Sequence, residues 1–414
     1  MEVVHTRCAG IDISKRDAKV AVRIARPGRL KAETEVRTFG SSTPRVLELR
    51  DWLVASRVTC AVMEATGDYW RIFYYLLEDA GIELLLANPT QVKNRKGRKS
   101  DVSDARWLAE LGAFGLVDGS FVPPPPIRDL RALTRLRIHM AQDRAKAAQR
   151  LEKVLEDAGI KLAAVASHID GVSSRLMLAA LSEGRAVDDM VQLAYGTLRS
   201  KSADLTDALT GQFTARHAMM TKMLLDRIDA CQTDIDTLTA AIDTLMQPYR
   251  QAHDLLLTIP GVSDRVADVV IAETGGDMTQ FPSAKHLAAW AGVAPGSNQS
   301  GTLVKPAKTL KGDTYLKGAL GIVALSAMRH NDTYLSAQYR RIAARRGSMK
   351  AMVAVENTVT TAIWYMLTRN EPYQDPGHDY FTRRRPESAK ANAITQLQNL
   401  GYKVTLTPLP DNHG

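Results

Sequence analysis

Four consecutive prolines, Pro123 to Pro126, divide this chain into two stretches whose residue patterns require different folds. A proline run fixes φ, lacks backbone donors and makes a stiff extended segment, so it marks the best domain boundary in the sequence. Before it, apolar runs at residues 7–13 and 18–24 flank a tight polar turn. A β-type run at 60–63, a helical pattern at 69–80 and another apolar run at 82–87 follow. Strands alternating with helices predict an α/β sheet that is at least partly parallel.

Beyond the prolines the pattern is helical. Residues 129–155 are rich in Arg, Ala and Leu without Gly or Pro, and a second long helix is expected over 214–246, closed by Pro248. In that second helix Leu224, Ile228, Cys231, Ile235, Leu238, Ile242 and Leu245 alternate steps of four and three, a heptad seam. The seam suits either the core of a monomeric bundle or a dimer interface. Residues 160–213 read as a helical insert. Ile259-Pro260-Gly261-Val262 joins two apolar helical stretches, the pattern of a helix-hairpin-helix that can aim backbone N–H groups at a phosphate; a plain Pro-Gly helix break is the lesser alternative. A polar tail with Arg383-Arg384-Arg385 and a β-type run at 402–406 ends the chain.

With 414 residues, two or three domains can each bury a core, and 45% hydrophobic with 24% charged residues excludes wholesale disorder. No apolar run reaches the ~18 residues of a membrane span, and the first ten residues hold no signal-peptide core. Cys8, Cys60 and Cys231 lie far apart, which argues for a reducing cytoplasm and against a disulfide framework or a cysteine-based zinc motif.

The net charge of +9 is concentrated. Residues 91–150 carry 13 Lys and Arg against 6 Asp and Glu, and residues 302–350 carry 10 against 2, leaving the remainder acidic. Two basic segments on an acidic background fit a polyanion footprint, because cations at phosphates gain from counterion release. The alternative is a solvated charged surface.

Four carboxylates stand out in the amino-terminal part. Asp12 sits inside an apolar strand, where an ionised side chain is costly unless paired or bound to a cation. Glu64 ends the β-run at 60–63, and Asp101 and Asp104 share one face at the start of a helix. Hard cations such as Mg²⁺ take such oxygen ligands and can serve phosphodiester chemistry. As a structural alternative, Asp101 could be a helix N-cap with Asp104 favoured by the helix dipole.

GIDISK, MEATGDYW and ANPTQVKNRKGRKSDVSDARWLAEL resemble the RuvC-like (RNase H-like) amino-terminal domain of a prokaryotic insertion-sequence transposase family, over about residues 5–120. That family carries an Asp-Glu-Asp-Asp metal tetrad, matched by Asp12, Glu64, Asp101 and Asp104, and a carboxy-terminal serine transposase domain. The second half is similar at LTIPG (257–261), FPSAKHLAAWAGVA (281–294) and Gln299-Ser300-Gly301. Gly312-Asp313-Thr314-Tyr315-Leu316-Lys317 stands where the family has Gly-Asp-x-x-Leu-Arg, with Lys317 replacing Arg, and the loop at 302–311 departs from the usual Gly-Lys-rich form.

The resemblance implies that Ser300 is the nucleophile, with Ser297 a nearby competitor lacking the following Gly. It also implies that Mg²⁺ on the tetrad assists a phosphoserine transesterification in a composite site, and that a structured guide RNA, donor and target DNA and a homo-oligomer take part in a prokaryotic cytoplasm. A serine hydroxyl needs activation, and no His or carboxylate lies within ten residues of Ser300. The expected layout is a RuvC-like domain at 1–126, a helical coiled-coil region at 127–250, a mostly α transposase domain with a helix-hairpin-helix at 251–370, and a tail at 371–414. Two rivals remain: a RuvC-like nuclease using water, and a non-catalytic nucleic-acid-binding assembly protein.

Overall fold

A computed structural model describes residues 2–26, 31–65, 67–92, 100–296, 299–300, 303–304, 308–309 and 311–407, with backbone alone for residues 90–91, 299–300 and 303–304. Ser297 and the basic run at 93–99 lie outside the described residues. The chain forms two compact units, Met1–Val122 and Pro123–Gly414.

In the first unit five strands make one sheet: β1 (Arg7–Ile13), β2 (Asp17–Ile24), β3 (Glu33–Gly40), β4 (Cys60–Glu64) and β5 (Glu83–Ala87), in the order β3-β2-β1-β4-β5. The β1–β2 and β2–β3 pairs are antiparallel, whereas β1–β4 and β4–β5 are parallel. Ser14 closes the β1–β2 turn by accepting from the Asp17 amide at 3.2 Å and donating to its carboxylate at 2.8 Å.

Side-chain alternation gives the central strands two buried faces. Ala9, Ile11, Ala61 and Met63 face the helices α1 (Thr43–Ala55) and α2 (Trp70–Leu77), whose Leu49, Leu53, Phe73 and Leu77 are wholly buried. Each such side chain contributes roughly 1.5–3 kcal/mol. After a single turn, α3 (Pro89–Val92), the helix α4 (Asp101–Ala113) covers the other face, against Cys8, Cys60 and Val62. This is the expected RNase H-like α/β arrangement of a mixed sheet with helices on both sides. β3 and α1 fall where the sequence pattern marks no element: β3 is an edge strand exposed along most of its length, so it lacks the apolar alternation that marks its neighbours.

The second unit is mostly helical. Its first helix, α5, spans Pro125–Asp157, so it starts inside the proline run and not at residue 129. Proline is favoured in a first helical turn, where its missing N–H would have no partner anyway. Helices α6 (Leu162–Val165), α7 (Val172–Ser182), α8 (Val187–Val191) and α9 (Ser202–Leu209) fill the insert. They close a core of Leu155, Leu162, Met177, Leu178 and Leu205 at one end of α5.

The long α10 (Ala215–Met246) runs antiparallel along α5, since His217 near its start meets Asp157 at the end of α5 at 3.0 Å. Ile228, Cys231, Ile235 and Ile242 of the heptad seam are buried within this unit. Then follow α11 (Arg250–Leu257), α12 (Asp264–Thr274), α13 (Ala284–Trp290), a two-stranded hairpin β6–β7 (Gln299–Ser300, Leu303–Val304), α14 (Thr314–Arg329), α15 (Tyr334–Arg346) and α16 (Ser348–Arg369).

The tail holds α17 (Tyr380–Arg384) and α18 (Pro386–Asn399), and residues 402–407 form no strand. An apolar run that short needs a partner strand to be stable. Among the described residues no helix is long and apolar enough to cross a membrane.

Candidate active site

The sheet register gathers two of the four carboxylates. Cys8, Gly10 and, by alternation, Asp12 point to the α4 side of β1, as do Cys60, Val62 and Glu64 of β4. The parallel register pairs Gly10 with Val62 and Ile11 with Met63, so Asp12 and Glu64 come next on neighbouring strands ~4.8 Å apart. Both stand at the carboxyl ends of parallel strands.

Helix α4 supplies the other two. It crosses this face at contact distance because the residues between are small: a Cβ on Gly10 would lie 2.1 Å from the Ala105 carbonyl oxygen and 2.3 Å from the Ala109 nitrogen. Ala21, Ala105 and Ala109 complete the seat. Further along, a Cβ on Gly112 would lie 2.6 Å from the Cys8 sulfur. The helix therefore runs antiparallel to β1. Two strand residues advance ~6.6 Å and four helical residues ~6 Å. Stepping from Gly10 to Asp12 thus matches stepping from Ala105 back to Asp101.

The start of α4 is fixed by a reciprocal cap. The Ser100 side chain accepts from the Ser103 amide at 3.3 Å, and the Ser103 hydroxyl accepts from the Ser100 amide at 3.1 Å. Ser100, and not Asp101, is the N-cap, so the helix does not consume the Asp101 carboxylate to satisfy its own amides. The Trp107 indole donates to the Val92 carbonyl at 3.1 Å, tying the chain before residues 93–99 to the helix after them.

The other three carboxylates bear electrostatically on Asp12. The Asp12 carboxyl is pushed up from 3.8 to about 6, by burial first and then by the charges of Asp101, Asp104 and Glu64. Lys19, opposite Asp12 across the β1–β2 pair, is engaged with Asp17 at 3.0 Å. Among the described residues, Asp12, Asp101 and Asp104 join no ion pair. No three oxygens of the four groups lie within 4.8 Å of one another. An all-oxygen donor set with excess negative charge fits a hard divalent cation, which would relieve the repulsion that raises Asp12.

In the second unit, the Gly-Asp motif has a packing reason. A Cβ on Gly312 would lie 2.2 Å from the Gly292 nitrogen, so the two backbones touch there. Asp313 caps α14 by accepting from the Leu316 amide at 2.7 Å, and its own amide donates to Trp290 at 2.9 Å. Lys317 donates to the Gly292 carbonyl at 3.1 Å and contacts the Thr309 hydroxyl at 3.4 Å. It therefore grips both sides of the segment that carries Ser300. Ser300 itself lies in β6, paired with Leu303; its side chain is outside the described residues.

The basic segments divide by use. Arg329, Arg340, Arg341, Arg345, Arg346 and Lys350 are exposed on α14–α16, open to a polyanion. By contrast, Arg131 and Arg135 pair with the buried Glu273, and Arg137 with Asp268 at 2.8 Å, so part of the first segment's surplus serves internal packing. Burial pushes the Glu273 carboxyl up, opposed by two hydrogen bonds from Arg135 at 2.8 and 2.7 Å. Counting charges cannot separate these two uses, because the acidic partners lie over 130 residues away.

Comparison with known proteins agrees with both units. Residues 9–160 match the DEDD_Tnp_IS110 transposase family, and residues 253–340 match the IS116/IS110/IS902 transposase family. The chain belongs to the IS110 family of insertion-sequence transposases. It is 26% identical over 328 residues to the transposase for insertion sequence element IS1111A of Coxiella burnetii, covering 77% of this chain and 80% of the relative. A protein of Pseudomonas aeruginosa named "Probable family 20 transposase" is 24% identical over 343 residues, 80% of this chain and 90% of its own length. The pilin gene-inverting protein of Moraxella bovis is 27% identical over 128 residues, 30% of this chain and 39% of that protein.

Proposed function

We propose that this IS110-family transposase cuts and rejoins DNA through a phosphoserine intermediate formed on Ser300, with Asp12, Glu64, Asp101 and Asp104 holding Mg²⁺. The observation that supports the reading is that Asp12 and Glu64 end neighbouring parallel strands and Asp101 and Asp104 begin the helix packed on that face, with the Asp12 carboxyl raised by burial first and then by the charges of the other three. The Ser300 oxygen attacks phosphorus, the P–O bond to the departing strand breaks, and that strand leaves as a hydroxyl. A hydroxyl of the second strand then displaces the serine, so no high-energy cofactor is consumed. Bound Mg²⁺ would supply charge neutralisation at the attacking and leaving oxygens. Lys317 and the Gly312–Gly292 contact hold the Ser300 segment, and the exposed arginines of α14–α16 bind phosphate backbones.

The same reading includes a structured guide RNA, donor and target DNA, and a homo-oligomer. It takes the α5–α10 pair as a coiled-coil element, and the Ile259–Val262 turn between α11 and α12 as a helix-hairpin-helix facing a phosphate. The domains are a RuvC-like unit, a helical region to about residue 250, a transposase domain to about 370 and a tail.

Incubation with element-end DNA and Mg²⁺, followed by denaturation, should leave a protein–DNA species that both Ser300→Ala and Asp12→Asn abolish. Cleavage that survives Ser300→Ala but not Asp12→Asn would instead establish hydrolysis by water. Sequencing of copurifying RNA should return one structured species, and its absence would remove the guide RNA from the proposal.

A further inference from the structure

The face of the sheet that carries the carboxylates at one end carries a different set of donors at the other. The register places Cys8 of β1 beside Cys60 of β4, and Cys60 beside Glu83 of β5, a single row across three strands. Linear spacing concealed this, because the two cysteines are brought together only by the parallel β1–β4 pairing. Just before β1, His5 reaches the same row, with its Nε2 3.6 Å from a Glu83 carboxylate oxygen. One ligand atom each from His5, Cys60 and Glu83 lies within 4.8 Å of the others, and among the described residues no other group of three meets that limit.

The surroundings hold this arrangement in place. The amides of Val4 and His5 donate to the Ala113 carbonyl at 2.9 and 3.1 Å, so the end of α4 fixes the backbone that carries His5. Gly112 lies over both thiols; a Cβ there would sit 2.6 Å from the Cys8 sulfur and 3.7 Å from that of Cys60. The Cys8 thiol donates to the Ala9 carbonyl at 3.7 Å and sits beside Cys60 in the strand register. Cys60 and Cys8 are buried, whereas the Glu83 side chain is 56% exposed and opens the row to solvent.

We propose that His5, Cys60 and Glu83 form a binding site for a borderline-soft divalent cation of the zinc class. Sulfur, imidazole and carboxylate together select such an ion over Mg²⁺. A thiolate and a carboxylate balance its two charges, and the carboxyl end of α4 adds favourable potential for a cation. Cys8, next to Cys60 in register, forms part of the buried wall around that sulfur. The site lies four strand residues, ~13 Å, from Asp12 and Glu64 along the same two strands. A cation there would tie the start of β1 to β4 and β5. It is independent of the tetrad chemistry.

The test is a cobalt(II) titration of the full-length chain freed of metal with a chelator. A single equivalent should produce a thiolate-to-cobalt charge-transfer band that zinc abolishes by displacement. Cys60→Ser should eliminate the band. His5→Gln and Glu83→Gln, both at partly exposed positions and compatible with folding, should weaken cobalt binding by at least the ~10–100-fold that loss of an outer partner costs at such sites. Asp12→Asn should leave the band unchanged, which separates this site from the carboxylate tetrad. No thiolate band at stoichiometric cobalt, a band that survives Cys60→Ser, or unchanged affinity in both His5→Gln and Glu83→Gln would each overturn the assignment.

Discussion

Replacing Asp12 by Asn removes one negative charge from the group of four and should reverse its effect on stability according to whether a divalent cation is present. The folded-state carboxyl lies near 6 and the ordinary value is 3.8, so the native protein holds this proton more tightly than the unfolded chain. The stability conferred is complete below 3.8 and lost as pH rises through about 6. A carboxyl displaced that far corresponds to about 3 kcal/mol at neutral pH. Asp12 is only half-buried, and solvent screening reduces this to roughly 1–2 kcal/mol.

In EDTA at pH 7, Asp12→Asn should therefore stabilise β1 and α4 by roughly 1–2 kcal/mol. Hydrogen exchange of amides in those elements of the full chain would measure it. The gain should fade on acidification toward pH 4 as the native carboxyl takes up its proton. With Mg²⁺ at 100 times its dissociation constant the parent gains about 2.7 kcal/mol, and the variant, short of one ligand, gains less. A variant less stable than the parent in EDTA at pH 7, or a gain that persists undiminished at acid pH, would refute the electrostatic account of the site.

Three further outcomes follow from the packing. Gly10→Val should disrupt the β1–α4 seat by at least the 1–3 kcal/mol typical of overpacking, since its nearest obstacles are backbone atoms; a thermal melt reads the loss, and strand transfer should fall with it. Ser100→Ala should cost about 1 kcal/mol through loss of the cap and weaken Mg²⁺ binding measured by calorimetry, because Asp101 and Asp104 depend on that first turn. Glu273→Gln should destabilise the second unit by about 3–5 kcal/mol in chemical denaturation, since it leaves the charges of Arg131 and Arg135 without their buried partner.

The candidate carboxylates are legible in the sequence because their chemistry contradicts their setting. Asp12 in an apolar strand and Glu64 at the end of another are anomalies that patterning alone exposes. The two long helices were legible through periodicity and the absence of Gly and Pro. What could not be read depends on pairing across distance. The edge strand β3 has no buried face to imprint alternation, and it exists because β2 offers it a ladder. The run at 402–406 has strand-forming residues and no ladder to join. Arg135 counts toward a basic segment in the sequence although Glu273, 138 residues on, takes up its charge, and Cys8 and Cys60 are neighbours only through the strand register.

The contact between Gly10 and α4 bears on how freely this transposase can vary. A position with no side chain cannot be compensated by a smaller neighbour, since nothing smaller than glycine exists and the obstructing atoms belong to the main chain. In a deep mutational scan, Gly10 should tolerate as few replacements as Asp12 while taking no part in chemistry. Ala105 and Ala109 should accept only glycine or serine. Reprogramming the enzyme for another metal by exchanging ligands would leave this seat untouched, whereas thickening it would displace Asp101 and Asp104 together.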